Sequence, residues 1–221
     1  MEGHSAVIIC AGDFPRKEYP LWLISQAERI VVCDSAFRTW LRRAPGIFGG
    51  KMRLPDAVVG DMDSLPQSYQ KKYSSLMVKV SEQDDNDQTK AFRHVLENYP
   101  EVTDIHILGA SGRREDHTIG NMSLLMEYER MFDLRGKNVD MVSDFSTAFA
   151  VTDSCEFAVG TGREVSIFSP DNTLTITSSG LRWQTSGVKF DNWWKATLNV
   201  AESDVVKLTF SHPSLALVVL P

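Results

Sequence analysis

The chain has 221 residues, 43% of them hydrophobic and 24% charged, which is room for one large globular domain or two small ones. A formal net charge of −6 without a basic stripe excludes an electrostatic nucleic-acid binder, and the first apolar run, AVIICAG, is too short for a signal peptide or a membrane span. Cys10, Cys33 and Cys155 lack metal-ligand spacing and read as buried thiols of a reducing compartment, so a cytoplasmic protein with neither nucleic acid nor membrane as partner is expected.

Up to about residue 140, short β-branched runs alternate with helical patterns. The strand AVIICAG precedes a helix over YPLWLISQAE. RIVVCD precedes an amphipathic helix over SAFRTWLRRA that gathers Phe37, Trp40 and Leu41 on one face. DAVVGD leads into LPQSYQKKYSSL, MVKVSE into NDQTKAFRHVLENY, and DIHILGA into HTIGNMSLLMEYERMF. Continuous apolar strands alternating with helices predict a Rossmann-like α/β domain whose parallel sheet is covered on both faces. The pattern changes near LRGKNVDMVSD. Beyond it come only short alternating runs, TAFAVT, CEFAVG, EVSIFSP, TLTITSS, KATLNVA, VVKLTFS and LALVVLP, separated by glycine, proline, aspartate and asparagine. That predicts a C-terminal β-sandwich. The expected domains are residues 1–138 and 139–221.

In a parallel α/β sheet, ligands bind beyond the carboxyl ends of the strands, and the polar residues gather there. RIVVCD ends in Asp34. DAVVGD ends in Asp61, with Asp63 two positions on. MVKVSE runs into Gln83, Asp84, Asp85, Asn86 and Asp87, and DIHILGA into a loop bearing Arg113, Arg114, Asp116 and His117. Asp61 and Asp63 repel each other unless a cation, a shared proton or solvent intervenes. Part of the acidic cluster has a second reading, since Asn86 or Asp87 also suits the cap of the following helix. Three acidic strand ends beside a basic loop fit Mg²⁺, which takes few protein oxygens and keeps water and phosphate, with guanidinium groups for phosphate oxygens. The chemistry indicated is Mg²⁺-dependent work on a phosphate ester or anhydride. GGKMRL has the wrong spacing for a P-loop and follows no strand. A phosphatase using an aspartate nucleophile and a non-catalytic nucleotide-binding module remain as rival readings.

The segments GDMDS, EQDDNDQTKA, GASGRREDHTIGN and SSGLRW resemble, in order and spacing, the signatures of the thiamine pyrophosphokinase family over nearly the whole chain. The resemblance implies transfer of a pyrophosphoryl group from ATP to the hydroxyl of thiamine, giving thiamine diphosphate and AMP, with Mg²⁺ as cofactor. It implies Asp61, Asp63 and Asp87 as metal ligands and, with Asp116, as the catalytic set, Asp116 orienting substrate rather than acting as base. Gln83, Asp116, Trp183 and Asn199 fall on the thiamine side, Trp183 as a ring that stacks on the aminopyrimidine. Asp34, Ser64, Lys90, Arg113 and Arg114 fall on the ATP side. The family is a homodimer whose active site lies at the subunit interface, and the adjacent Trp193 and Trp194, one in and one out along a strand, offer surface for such a contact. Two departures stand out: the family's DGGAN is DSAFR here, keeping Asp34 but replacing both glycines, and Arg113 replaces a glycine.

Overall fold

The structure, a computed structural model, describes residues 4–221. It divides into two compact units, one formed by the chain up to Asn121 together with Leu134–Asp144, the other by Met122–Asp133 together with Phe145–Pro221.

The first unit is built on six strands, β1 (Ser5–Ile9), β2 (Arg29–Cys33), β3 (Ala57–Gly60), β4 (Met77–Lys79), β5 (Asp104–Leu108) and β6 (Asn138–Val142). Every pairing is parallel and the spatial order is β4-β3-β2-β1-β5-β6. The helices are α1 (Glu18–Gln26), α2 (Phe37–Ile47), α3 (Gln67–Lys72), α4 (Asp87–Asn98) and α5 (Glu115–Met131), which runs on into the second unit. Val7, Ile8, Ile9, Ile30, Val31 and Val32 are fully buried, as continuous apolar strands covered on both faces should be. Each such side chain contributes roughly 1.5–3 kcal/mol by leaving water. Pro20 sits in the first turn of α1, where its missing N–H costs nothing.

Of the two cap candidates, Asn86 caps α4, its side chain accepting the Thr89 N–H at 2.9 Å, and the Asp87 carboxylate is left for other work. Two local outcomes differ from the expectations. Asp34–Ala36 form a turn of 3₁₀ helix, so α2 starts only at Phe37. The sheet continues past residue 138: NVDMV is a parallel strand beside β5. Asp140 disguises it in the sequence, because a carboxylate inside an apolar run reads as loop. In the fold Asp140 is the register partner of His106 and bonds its Nδ1 at 2.7 Å.

The second unit has eight strands, β7 (Thr147–Val151), β8 (Cys155–Ala158), β9 (Glu164–Phe168), β10 (Thr175–Ser179), β11 (Val188–Lys189), β12 (Ala196–Val200), β13 (Val205–Phe210) and β14 (Ala216–Leu220). They form two antiparallel groups, β12-β9-β14-β7 and β11-β10-β13-β8. Val165, Ile167 and Val218 of the first group and Ile176, Val206 and Leu208 of the second share one core with Phe190, which is the sandwich arrangement. The two-residue β11 carries too little alternation to be seen in the sequence. Trp193 and Trp194 lie in a turn rather than a strand, and both are about half exposed.

Candidate active site

The strand order reverses at β1: the chain winds outward through β2, β3 and β4, then returns to place β5 on the other side of β1. At such a switch point the loops diverge and leave a crevice. A cleft of about 400 Å³ opens there, lined by Cys10, Ala11 and Gly12 after β1, Cys33 and Ser35 around the end of β2, Asn86, Asp87 and Gln88 at the start of α4, and Ala110, Ser111, Arg113, Arg114, His117, Thr118 and Asn121 after β5. Gly12 is needed for closure, since a Cβ there would stand 2.4 Å from the Ser111 carbonyl oxygen. Asn121 ties the β5 loop to α4, donating to the Ala110 carbonyl at 2.8 Å and accepting from Asn86 at 3.1 Å.

The acidic edge is a linked set. Asp61 accepts the Asp63 N–H at 2.9 Å and the Gln83 amide at 3.3 Å, and these bonds hold its carboxyl below the usual carboxylate range. Asp34 is completely buried and accepts the Met62 N–H at 2.7 Å. Burial, then the neighbouring Asp87, push its pKa up to about 6. Asp87 is raised too, by burial, with the Lys90 charge opposing. Ser35 Oγ donates to Asp87 at 3.4 Å. Lys90 is buried with its Nζ 2.6 Å from the Glu82 carbonyl oxygen, in the wall of a second cleft, so its charge reaches Asp61 and Asp87 from behind. Ser64 is exposed, as is Asp63.

The basic edge is open. Arg114 grips Asp116 through Nε at 3.0 Å and Nη2 at 2.5 Å, and both side chains are mostly exposed. Arg113 stands 3.8 Å from Asp13. Among the described residues no three acidic, histidine or cysteine side chains converge as a ready-made metal cage. Of the acidic set Asp87 lines the cleft, and Asp34, Asp61 and Asp63 do not. The donor types nevertheless fit Mg²⁺: carboxylates that repel one another, with places left for water and phosphate.

In the second unit, Trp183 is 57% exposed and lines a cleft of about 330 Å³ with Val188, Lys195, Leu198 and Asn199. The pairing of β12 with β9 shifts register between Ala196 and Asn199, and Leu198 there takes φ 59° and turns outward. Asn199 is thereby turned inward, where its amide donates to the Trp183 carbonyl at 2.7 Å and accepts the Trp183 N–H at 3.1 Å. Its polar atoms are occupied in fixing the backbone of the tryptophan. The Arg182 guanidinium lies 5.6 Å from the Trp183 ring centre.

Gly12 and Ser35 are not among the residues that the sequence singles out for the site, although the strand-end rule, applied to AVIICAG, leads to Gly12, and Ser35 follows Asp34 directly. Asn121 closes the segment GASGRREDHTIGN, but the sequence does not show that it ties loop to helix.

A family profile described as "Thiamin pyrophosphokinase, catalytic domain" matches residues 21–135, and one described as "Thiamin pyrophosphokinase, substrate-binding domain" matches residues 147–215. The chain belongs to the thiamin pyrophosphokinase family. A curated relative, thiamine pyrophosphokinase 1 of Oryza sativa subsp. japonica, is 28% identical over 172 residues, covering 70% of this chain; the chain spans 62% of the length of that relative. Among solved structures, the thiamine pyrophosphokinase from Bacillus subtilis matches with a TM-score of 0.74 at 16% identity, covering 98% of each chain. Yeast thiamin pyrophosphokinase matches with a TM-score of 0.72 at 17% identity over 100% of this chain and 87% of its own. At those identities the structures establish the shared fold: a parallel-stranded α/β unit and an antiparallel β unit. Among the described residues no helix is long and apolar enough to cross a membrane.

Proposed function

We propose that this chain is a thiamine pyrophosphokinase that moves the terminal pyrophosphoryl group of Mg²⁺-ATP to the hydroxyl of thiamine, releasing AMP. The observation that carries the reading is the cleft at the strand-order reversal, which Asp87, Arg113 and Arg114 line together in a chain of this family. Support for the substrate comes from the name of the rice relative and from the match of residues 147–215 to the family's substrate-binding domain.

In this reading Asp61, Asp63 and Asp87 hold Mg²⁺, which when bound supplies charge neutralisation to the phosphates of ATP. The chain does the rest by positioning, as phosphoryl chemistry requires. Arg114 exchanges Asp116 for phosphate oxygens, and Arg113 adds a second cation. Asp116, once released, and Gln83 orient the thiamine end. Ser64 lies beside the metal turn on the ATP side, and Lys90 balances the acidic edge from behind. Asp34 belongs to the same side of the site. Trp183 stacks on the aminopyrimidine, and Asn199 keeps it in place. The α/β unit carries the nucleotide and the sandwich the thiamine. The active protein is a cytoplasmic homodimer in which each sandwich offers its Trp183 to the partner's cleft. The three cysteines are free, which suits a reducing compartment.

A phosphatase with an aspartate nucleophile would carry a DxD pair after the first strand, where Asp13 follows AVIICAG without a second aspartate two positions on. Assay of the protein with Mg²⁺, ATP and thiamine tests the reading. AMP that forms only when thiamine is present supports it; release of orthophosphate from simple esters, or no turnover at all, contradicts it. Mixing inactive Asp61→Asn chains with Trp183→Ala chains tests the shared site. Subunit exchange builds one doubly damaged and one intact site, so activity returns; exchange without recovery, or a monomer at working concentration, contradicts it.

A further inference from the structure

We propose that Asp34 is a positioning residue, a buried strut that holds the Gly60–Asp63 turn in the conformation in which Asp61 and Asp63 receive a divalent cation, rather than a contact to the nucleotide. The inference rests on the metal role given to Asp61 and Asp63 above. The residues on either side of Asp34, Cys33 and Ser35, line the cleft, and Asp34 does not. Its side chain is wholly withdrawn from solvent. One oxygen, Oδ2, accepts the Met62 N–H at 2.7 Å, and Oδ1 has no donor among the described residues. A buried carboxylate retained at that cost needs a task in the fold.

The task is visible in the backbone it touches. Met62, between the two aspartates, has φ 71°, the left-handed region that a residue with a Cβ avoids. Such conformations persist only where the surroundings over-determine them. Here Asp34 takes the Met62 N–H, while the Met62 carbonyl accepts from Gln70 Nε2 at 2.9 Å and from the Leu65 N–H at 3.2 Å. The Met62 side chain is itself buried. Gly60 is a glycine for the same reason, since a Cβ there would lie 2.5 Å from the Asp34 carboxyl carbon. Strut and turn are packed against each other, and the turn sets the angle between two successive carboxylates. The replacement of both glycines after Asp34 by Ser35 and Ala36 leaves this contact untouched, because it runs through the Asp34 side chain.

The test is Mn²⁺ binding in the presence of ATP and without thiamine, followed by electron paramagnetic resonance, for wild type, Asp34→Ala and Asp34→Asn, each with a circular dichroism spectrum and a melt. Asp34→Ala should weaken Mn²⁺ binding by about tenfold or more, the scale of losses when a residue that orients metal ligands is removed. Asp34→Asn, which keeps an oxygen for Met62, should restore most of it. Full Mn²⁺ affinity in a folded Asp34→Ala overturns the proposal. So does equal loss in Asp34→Asn, because the charge rather than the strut would then be at work. If Asp34→Ala does not fold, Gly60→Ala presses on the same contact from the other side, and unchanged Mn²⁺ affinity there also overturns it. The readout needs no thiamine chemistry. A wild type that binds Mn²⁺ through Asp61 yet makes no AMP refutes the proposed function and leaves the strut standing.

Discussion

The two edges of the cleft at the strand-order reversal are built differently. The acidic edge is fixed: Asp34 is buried beneath it, Asp61 is tied to Asp63 and Gln83, and Asp87 sits on the first turn of a helix that Asn86 caps. The basic edge is a loop whose Arg114 side chain, among the described residues, holds Asp116 alone, with both side chains mostly in solvent. In the proposed reading, the difference divides the work. A cation needs its oxygens preset, whereas a phosphate can be gripped by a guanidinium that first lets go of a weak surface partner. Substitutions should therefore split the edges by what they damage.

The largest effect is expected at the acidic edge. Asp61→Asn or Asp63→Asn should lower turnover at least about a hundredfold, the scale of losing a preorganised electrostatic group, with little change in the melt. Near-normal turnover in both variants with Mg²⁺ present breaks the comparison at its strong side. On the basic edge, Arg114→Ala should lower kcat/KM for ATP by about tenfold to a hundredfold without lowering the melting temperature, since the pair it breaks is exposed. A fall in stability equal to the fall in activity would make that loop structural instead.

Trp183→Ala sharpens the contrast from the second unit. It should weaken thiamine binding by roughly 1–3 kcal/mol, the scale for aromatic stacking on bases, and leave Mn²⁺-ATP binding as it was. Unchanged thiamine affinity by calorimetry would return Trp183 to the role of an exposed ring without a ligand. The smallest effect concerns stability alone. Burial lowers the pKa of His106, but the Asp140 hydrogen bond and charge outweigh it and leave the pKa above 6.5. A raised histidine pKa stabilises the fold fully below 6.5 and ceases to as pH rises through the folded value. Asp140→Asn should therefore lower the melting temperature on the acid side and converge with wild type on the alkaline side. A constant difference across that range would mean that the pair acts through packing.

Much of this arrangement was legible in the sequence, for physical reasons that also mark the limits. Strands buried on both faces leave continuous apolar runs, so β1, β2, β3 and β5 are plain, and the strand-end rule then points to Asp87 and Arg114, which line one cleft. The strand Asn138–Val142 was missed because Asp140 breaks its run, and only the partner His106 on the neighbouring strand explains a carboxylate there. Trp193 and Trp194 were read as strand neighbours because local pattern does not show where a turn will fall. Asn199 was assigned to the substrate, and its amide is turned to the Trp183 backbone by a register shift that no spacing reveals. Asp34 was legible as a strand-end acid, but its burial depends on Gly60 and Met62, which come near it only in the folded sheet.

The central claim, pyrophosphoryl transfer at the cleft beside Asp87 and Arg114, is tested most directly by following labelled phosphorus. With ATP labelled at the β and γ phosphates, the protein, Mg²⁺ and thiamine, the account predicts that both labels move together into thiamine diphosphate while AMP leaves unlabelled. Label recovered as orthophosphate, or β-label left behind in ADP, would contradict it.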